Sequence, residues 1–223
     1  MESLPSLLDG LYITLILTFI SLIAGLFLGI GLALGRVYGG KIVSAICIGY
    51  IEIIRGTPLL VQLFIIYFAF PSIGITLEAI DAALLGLSLN SGAYQAEYLR
   101  GSIQSIPSGQ MVAARTIGMT KLQSIKNIVL PQALRISIPA WSNELIYLLK
   151  YTSIVYIIQV KELTAEGKFI AAETFKFLEI FAIIAIIYLV LTIVFSTIIE
   201  KFEKKLRIPG LGEKAKIGLR NAL

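Results

Sequence analysis

Residues 11–35 read LYITLILTFISLIAGLFLGIGLALG, a run without one charged side chain. At about 1.5 Å of rise per residue, a helix of that length crosses roughly 30 Å of hydrocarbon. Two further runs, Gly56 to Leu77 and Ile180 to Ile199, are equally free of charge. Hydrocarbon gives backbone N–H and C=O groups no outside partner, so each run has to be helical. The composition agrees: of 223 residues, 57% are hydrophobic and 15% charged, more apolar surface than one water-soluble core hides. Residues 1–10 carry no Lys or Arg, and the run after them exceeds the ~7–15 residues of a signal-peptide core. The first run is therefore expected to remain as a true span.

The chain has no His and a single Cys, Cys47, which removes intramolecular disulfides, imidazole bases, His-ligated haem and most zinc sites. No catalytic or metal site is expected, and Cys47 reads as an ordinary buried residue. The net charge of +5 does not point to nucleic acid, because seven of the nineteen basic residues fall between Lys201 and Arg220, just after the last apolar run. That placement suits a cytoplasmic anchor beside anionic lipid.

With these runs as membrane helices, the expected fold class is all-α. It is a single polytopic membrane helical bundle over 1–223 with five transmembrane helices, at about 11–36, 42–70, 78–104, 135–158 and 178–203, followed by a basic tail at 204–223. The third and fourth spans hold Glu97, Arg100, Glu144 and Lys150, which are tolerated at membrane depth only when they face protein or water. Glu97 and Arg100, three apart, are expected to pair. Lys and Arg accumulate at Arg36 and Lys41, at Arg115, Lys121, Lys126 and Arg135, and in the tail, while the connection from Pro71 to Thr76 has none. This predicts the N-terminus outside, the C-terminus inside and residues 105–134 in the cytoplasm. Residues 159–176 then lie outside, with Lys161, Lys168 and Lys176 balanced by Glu162, Glu166 and Glu173.

Gly25 and Gly29, and Gly31 and Gly35, are spaced four apart, so each pair gives one helix face a place for close helix packing, within the bundle or at a dimer seam. The second span contains Glu52-Ile53-Ile54-Arg55-Gly56-Thr57-Pro58. Pro58 cannot donate to the carbonyl of Ile54, so the helix is expected to bend or loosen there, as a plain kink or as the lining of a transport site. Glu52 and Arg55, three apart, are expected to neutralise each other.

Between the third and fourth spans, Ser108 reads as an N-cap, Met111 to Ile117 as a short Ala-rich helix, and Gly118 as its C-terminal stop. Such a helix, held in water between two spans, is a handle that a soluble partner can grip. At this point the chain resembles the permease subunits of ATP-binding-cassette importers, in their polar amino acid branch. The resemblance is carried by Arg55-Gly56-Thr57-Pro58-Leu59-Leu60-Val61-Gln62, Asn90-Ser91-Gly92-Ala93-Tyr94-Gln95-Ala96-Glu97, the Arg115 to Arg135 stretch, and Asn143-Glu144-Leu145 through Lys150. It implies that Ser108, Met111, Ala113, Ala114, Arg115 and Gly118 belong to a coupling segment that docks on an ATPase subunit. Two positions depart from the family's pattern. Val112 stands where Glu usually precedes the paired alanines, and Tyr151 stands where Asp commonly follows the fourth-span lysine.

No Gly-x-x-x-x-Gly-Lys-Ser/Thr loop occurs: Gly40-Lys41 is followed by Ile42, and Gly167-Lys168 by Phe169. The resemblance therefore implies ATP and Mg on separate ATPase subunits, with no cofactor in this chain. It further implies a second permease chain (a copy or a relative), an external solute-binding protein, and residence in the plasma (inner) membrane as a multi-pass subunit that works by alternating access. An amino acid substrate needs polar groups at depth. Asp81, Ser88 and Gln95 recur every seven residues and fall within about 40° on a helix, a stripe that Glu78 extends outward and that equally serves as polar glue between helices. Thr57, Gln62, Tyr151 and Thr152 lie at similar depth. The acids Glu78 and Asp81 favour a cationic substrate such as arginine, lysine or histidine. Without His, an intramembrane hydrolase lacks its usual base. An ion-coupled secondary transporter or channel is the other transport reading, although no internal repeat supports it.

Overall fold

The computed structural model describes residues 3–206. Of the expected basic tail at 204–223, residues 207–223 lie outside them, and 204–206 end the last described helix. The described residues are helices and short connections, without a strand. Helix α1, Ser3–Tyr38, is 36 residues long and lies against α4, Ala79–Ser105. The contact depends on missing side chains. A Cβ at Gly25 would sit 2.9 Å from Gln95 Nε2, and one at Gly29 would sit 3.0 Å from the backbone nitrogen of Ala96. The glycine face therefore packs α1 inside this chain. Gly35 faces α2, Lys41–Gly56, where a Cβ would come within 2.7 Å of Cys47 Sγ, and Gly31 faces open space. Cys47 is buried in that packing.

The second expected span, 42–70, is two helical arms that break at Pro58, where a bend was expected. Helix α2 stops at Gly56, and α3, Leu59–Phe64, continues through a π-helical turn, Ile65–Ala69, and a 3₁₀ turn, Phe70–Ile73. The two arms meet at 103°. The cause is local: Pro58 removes a donor, and a proline pushes the preceding residue toward extended backbone. Thr57 obeys with φ −117° and ψ 144°.

Beyond α4, the short helix α5 spans Ser108–Thr116. Pro107, not Ser108, occupies its N-cap position, and Ser108 is the first helical residue. The predicted stop holds. Gly118 has φ +90°, its N–H donates to the Arg115 carbonyl, and the N–H of Met119 donates to the Ala114 carbonyl. The second half of the 105–134 segment is helical too and runs on into the fourth expected span. Helix α6, Lys121–Ser124, runs through a π-helical turn, Ile125–Val129, into α7, Leu130–Tyr151. Thr120 and Gln123 start it with a reciprocal capping box. Pro131 has no N–H to return to Asn127, and the helix widens just before it. The expected end of that span, 152–158, is a 3₁₀ turn.

Residues 159–176, the segment expected to lie outside, contain helix α8, Leu163–Thr174, seated between α1 and α9, Phe177–Leu206. Glu162 is fully buried there. It accepts from the N–H groups of Thr164 and Ala165 and from the Tyr188 hydroxyl, while Thr14 of α1 accepts from the N–H of Leu163.

Among the described residues two helices, Leu4–Tyr38 and Phe177–Lys201, are long and apolar enough to cross a membrane, and the bent pair makes a third if it counts as one span. Helices α4 and α7 are long but polar. Their polar groups are tolerated because α1, α2 and α7 enclose α4, burying Leu87, Ser91, Gln95 and Leu99. Helix α9 is the opposite, with 6% of its apolar window buried.

Candidate functional site

The break at Pro58 frees backbone groups, and one side chain takes them up. Gln62 Nε2 lies 2.7 Å from the Ile54 carbonyl that Pro58 cannot reach, 2.9 Å from Thr57 Oγ1 and 3.1 Å from the Thr57 carbonyl. Its Oε1 accepts from Asn90 Nδ2 of α4 at 3.1 Å. Gln62 is thus a clamp that holds the corner against α4. The Thr57 hydroxyl donates to the Ile53 carbonyl at 2.8 Å.

The clamped corner forms one wall of a cleft of about 400 Å³, whose other walls include Asn90 and Tyr94 of α4, Tyr151 and Ile154. A second cleft of about 330 Å³ shares Tyr94 and Tyr151 and adds Tyr98, Tyr147 and Glu144. Both volumes are in the range of small-molecule sites. Glu144 is 5% exposed, accepts from the Ser91 hydroxyl at 2.7 Å and from the Tyr98 hydroxyl at 3.3 Å, and has no Lys or Arg in its reach among the described residues. A buried carboxylate is costly unless it meets a cation or several donors. Four tyrosines line that cleft, and two of their rings already attract a cation of the chain, Tyr94 that of Arg55 at 5.2 Å and Tyr147 that of Lys150 at 5.0 Å.

Of the residues expected to bind substrate, Thr57 and Tyr151 line the first cleft, and Tyr151 also lines the second. Gln62 is buried behind the corner. Thr152 is fully buried and donates to the Leu149 carbonyl, away from both clefts. Glu78, Asp81 and Ser88 line neither. Glu78 holds the N-cap position of α4 and Asp81 its first turn, where negative charge suits the helix dipole. Gln95, the last member of that stripe, donates to the Leu22 carbonyl and the Ser91 hydroxyl, so it is glue between α1 and α4. Four lining residues of the second cleft were not expected from the sequence, and they carried a periodic signal: Glu144 and Tyr147 share helical spacing with the expected Tyr151 on α7, and Tyr94 and Tyr98 do so on α4.

Beside the first cleft, Glu97 gathers three guanidinium groups. Arg36 of α1 donates to Oε1, Arg100 donates to both oxygens at 2.9–3.1 Å, and Arg55 Nη1 stands 3.7 Å from Oε2. The Glu97–Arg100 pairing is as expected, whereas Arg55 turns to Glu97 and the Tyr94 ring and not to Glu52.

The coupling segment divides into a seat and an outward face. Met111 packs on a core cluster that includes Ala33, Ile103 and Val129, and Ala114 is buried. Ser108, Ala113, Arg115 and Gly118 are exposed, and Val112 at 63% and Ile117 at 79% present apolar surface to the outside.

Residues 21–208 match the model of the family described as binding-protein-dependent transport system inner membrane component. The glutamine transport system permease protein GlnP of Escherichia coli strain K12 is 36% identical over 92% of this chain and 95% of its own length. The nopaline transport system permease protein NocM of Agrobacterium fabrum is 37% identical over 96% and 95%. Among solved structures, a crystal structure of an amino acid ABC transporter with histidines has a TM-score of 0.84 and 38% identity, covering 92% of this chain and 95% of that one. The MetNI methionine ABC transporter shares the fold, with a TM-score of 0.79 at 19% identity.

Proposed function

The chain belongs to the inner membrane components of binding-protein-dependent transport systems, and from that premise we propose that it moves a polar amino acid through the two joined clefts beside the Pro58 corner. The observation that carries this reading is Glu144, a buried carboxylate without a cation of its own, set among tyrosines at the cleft wall. An amino acid always brings an ammonium group, and a cationic one brings a second positive charge. Glu144 supplies the countercharge that Asp81 and Glu78 were expected to supply, and it favours arginine, lysine or histidine over neutral substrates.

The chain is oriented with its N-terminus outside and α5 in the cytoplasm, crossing the membrane five times if the bent pair counts as one crossing. Two permease chains pair, separate ATPase subunits bind ATP and Mg, and their closure pushes on α5. Because Met111 fixes α5 to the cluster that joins α1 and α4, that push reaches the clefts as a rigid-body motion between inward-facing and outward-facing states. The outward apolar face, with Val112 in place of an acid, docks through hydrophobic contact. An external solute-binding protein delivers the substrate.

The test is binding and uptake by the complex that co-purifies with this chain. Glu144→Gln is expected to raise the Kd for a cationic amino acid by about 10- to 100-fold, since a charge-assisted contact contributes roughly 1.5–3 kcal/mol. Unchanged affinity in a properly assembled complex sinks the reading.

A further inference from the structure

The cluster around Glu97 is out of balance, and the imbalance faces the cleft. Glu97 Oε1 accepts from Arg36 and from Arg100 Nε, and Oε2 accepts from Arg100 Nε and Nη2. These contacts satisfy the carboxylate. Arg55 Nη1, at 3.7 Å from Oε2, is beyond hydrogen-bonding distance, and its guanidinium makes no hydrogen bond among the described residues. One carboxylate against three guanidinium groups leaves a surplus of positive charge, and Arg55 is the member that lines the 400 Å³ cleft. It lies 5.2 Å from the centroid of the Tyr94 ring, a contact that consumes no N–H donor.

Glu144 lines the neighbouring cleft, and Tyr94 and Tyr151 are common to both. The joined site therefore has a guanidinium without a hydrogen-bond acceptor in one part and a carboxylate held by two hydroxyls but without a countercharge in the other, with aromatic faces between them. An α-amino acid zwitterion has the matching pair of charges.

We infer that Arg55 holds the α-carboxylate of the transported amino acid, which points that group at the Pro58 corner and the ammonium or cationic side chain toward Glu144. The inference rests on the reading of the clefts as an amino acid site. Arg55 suits the role because a guanidinium binds a carboxylate through two parallel N–H···O bonds. Its position in the last turn of α2 alone would account for a basic residue. It would not account for a guanidinium left without an acceptor in the wall of a cleft.

The test uses the detergent-solubilised permease–ATPase complex without the solute-binding protein, so that the delivery protein's own selectivity does not enter. Equilibrium binding is measured for the twenty amino acids, then for the tightest binder and its α-carboxamide, which lacks the negative charge. Wild type is expected to prefer the acid by about 10- to 100-fold. Arg55→Gln is expected to weaken the acid by a similar factor, leave the amide within about 3-fold and abolish the preference, while Arg55→Lys keeps part of it. If wild type binds acid and amide equally, or if Arg55→Gln weakens both alike, the carboxylate role is overturned while the amino acid site stands. If wild type binds no amino acid at all, the site itself is refuted.

Discussion

Replacing Gln62 with leucine tests whether the corner at Pro58 is held by one side chain. In the structure, the two Nε2 hydrogens serve the Ile54 carbonyl and the Thr57 groups, and Oε1 serves Asn90. At most three hydrogen bonds operate at once, each with a net value of about 1 kcal/mol. Gln62→Leu keeps the volume but leaves the Ile54 carbonyl and Asn90 Nδ2 without partners, and Pro58 has no N–H with which to compensate. The expected loss is ~2–4 kcal/mol, a fall of roughly 5–15 °C in the unfolding temperature of the solubilised protein by the usual entropy scaling. Gln62→Glu separates the bonds. It keeps an acceptor for Asn90 but places a carboxylate against the Ile54 and Thr57 carbonyls, so it should be at least as harmful. Because Thr57 and Pro58 line the cleft, substrate affinity should fall along with stability. The assay is thermal unfolding in detergent, followed by tryptophan fluorescence, alongside equilibrium binding. If Gln62→Leu unfolds within about 2 °C of wild type, the carbonyls find other partners and the clamp has been misread.

Four further substitutions address other parts of the molecule. Gly29→Val puts a branched side chain where even a Cβ would meet the Ala96 nitrogen at 3.0 Å, so α1 has to separate from α4. A loss of about 1–3 kcal/mol is expected on thermal unfolding, and wild-type stability would show that the helices part easily. Gly118→Ala meets no neighbour but has to hold φ +90°, and Ile117→Asp changes a side chain that is 79% exposed. Gly118→Ala should cost ~1 kcal/mol at the end of α5. Ile117→Asp should cost under about 0.5 kcal/mol of fold stability yet reduce the ATPase subunit recovered on co-purification, and full recovery would refute hydrophobic docking. Glu97→Gln leaves Arg36 and Arg100 facing a neutral amide, and ~2 kcal/mol or more should be lost, seen as lower yield and earlier thermal unfolding than for Arg55→Gln. Equal behaviour of the two variants would show that Arg55, like the other two, is fixed by Glu97.

What the residues determined alone was whatever depends on composition or on neighbours within one helical turn. The charge-free runs require helices in a bilayer. Pro58 requires a break because the missing N–H is its own. Gly118 ends α5 because only glycine adopts a positive φ at little cost. The spacing of Gly25 and Gly29 allows close packing without naming the partner. The tertiary structure decided which groups, distant in sequence, face one another. Gln95 repeats with Asp81 on one stripe of α4, yet that face near Gln95 turns to α1 and not to a path. Glu144 has the composition of a structural charge, and only the meeting of α7 with α4 places it at a cleft wall among four tyrosines. Arg55 has Glu52 within reach along α2, but the 36- and 27-residue helices packed beside it bring Glu97 closer. A helix specifies by its own periodicity which residues share a face. The direction of that face is fixed by the packing of the other helices, and no local rule contains it.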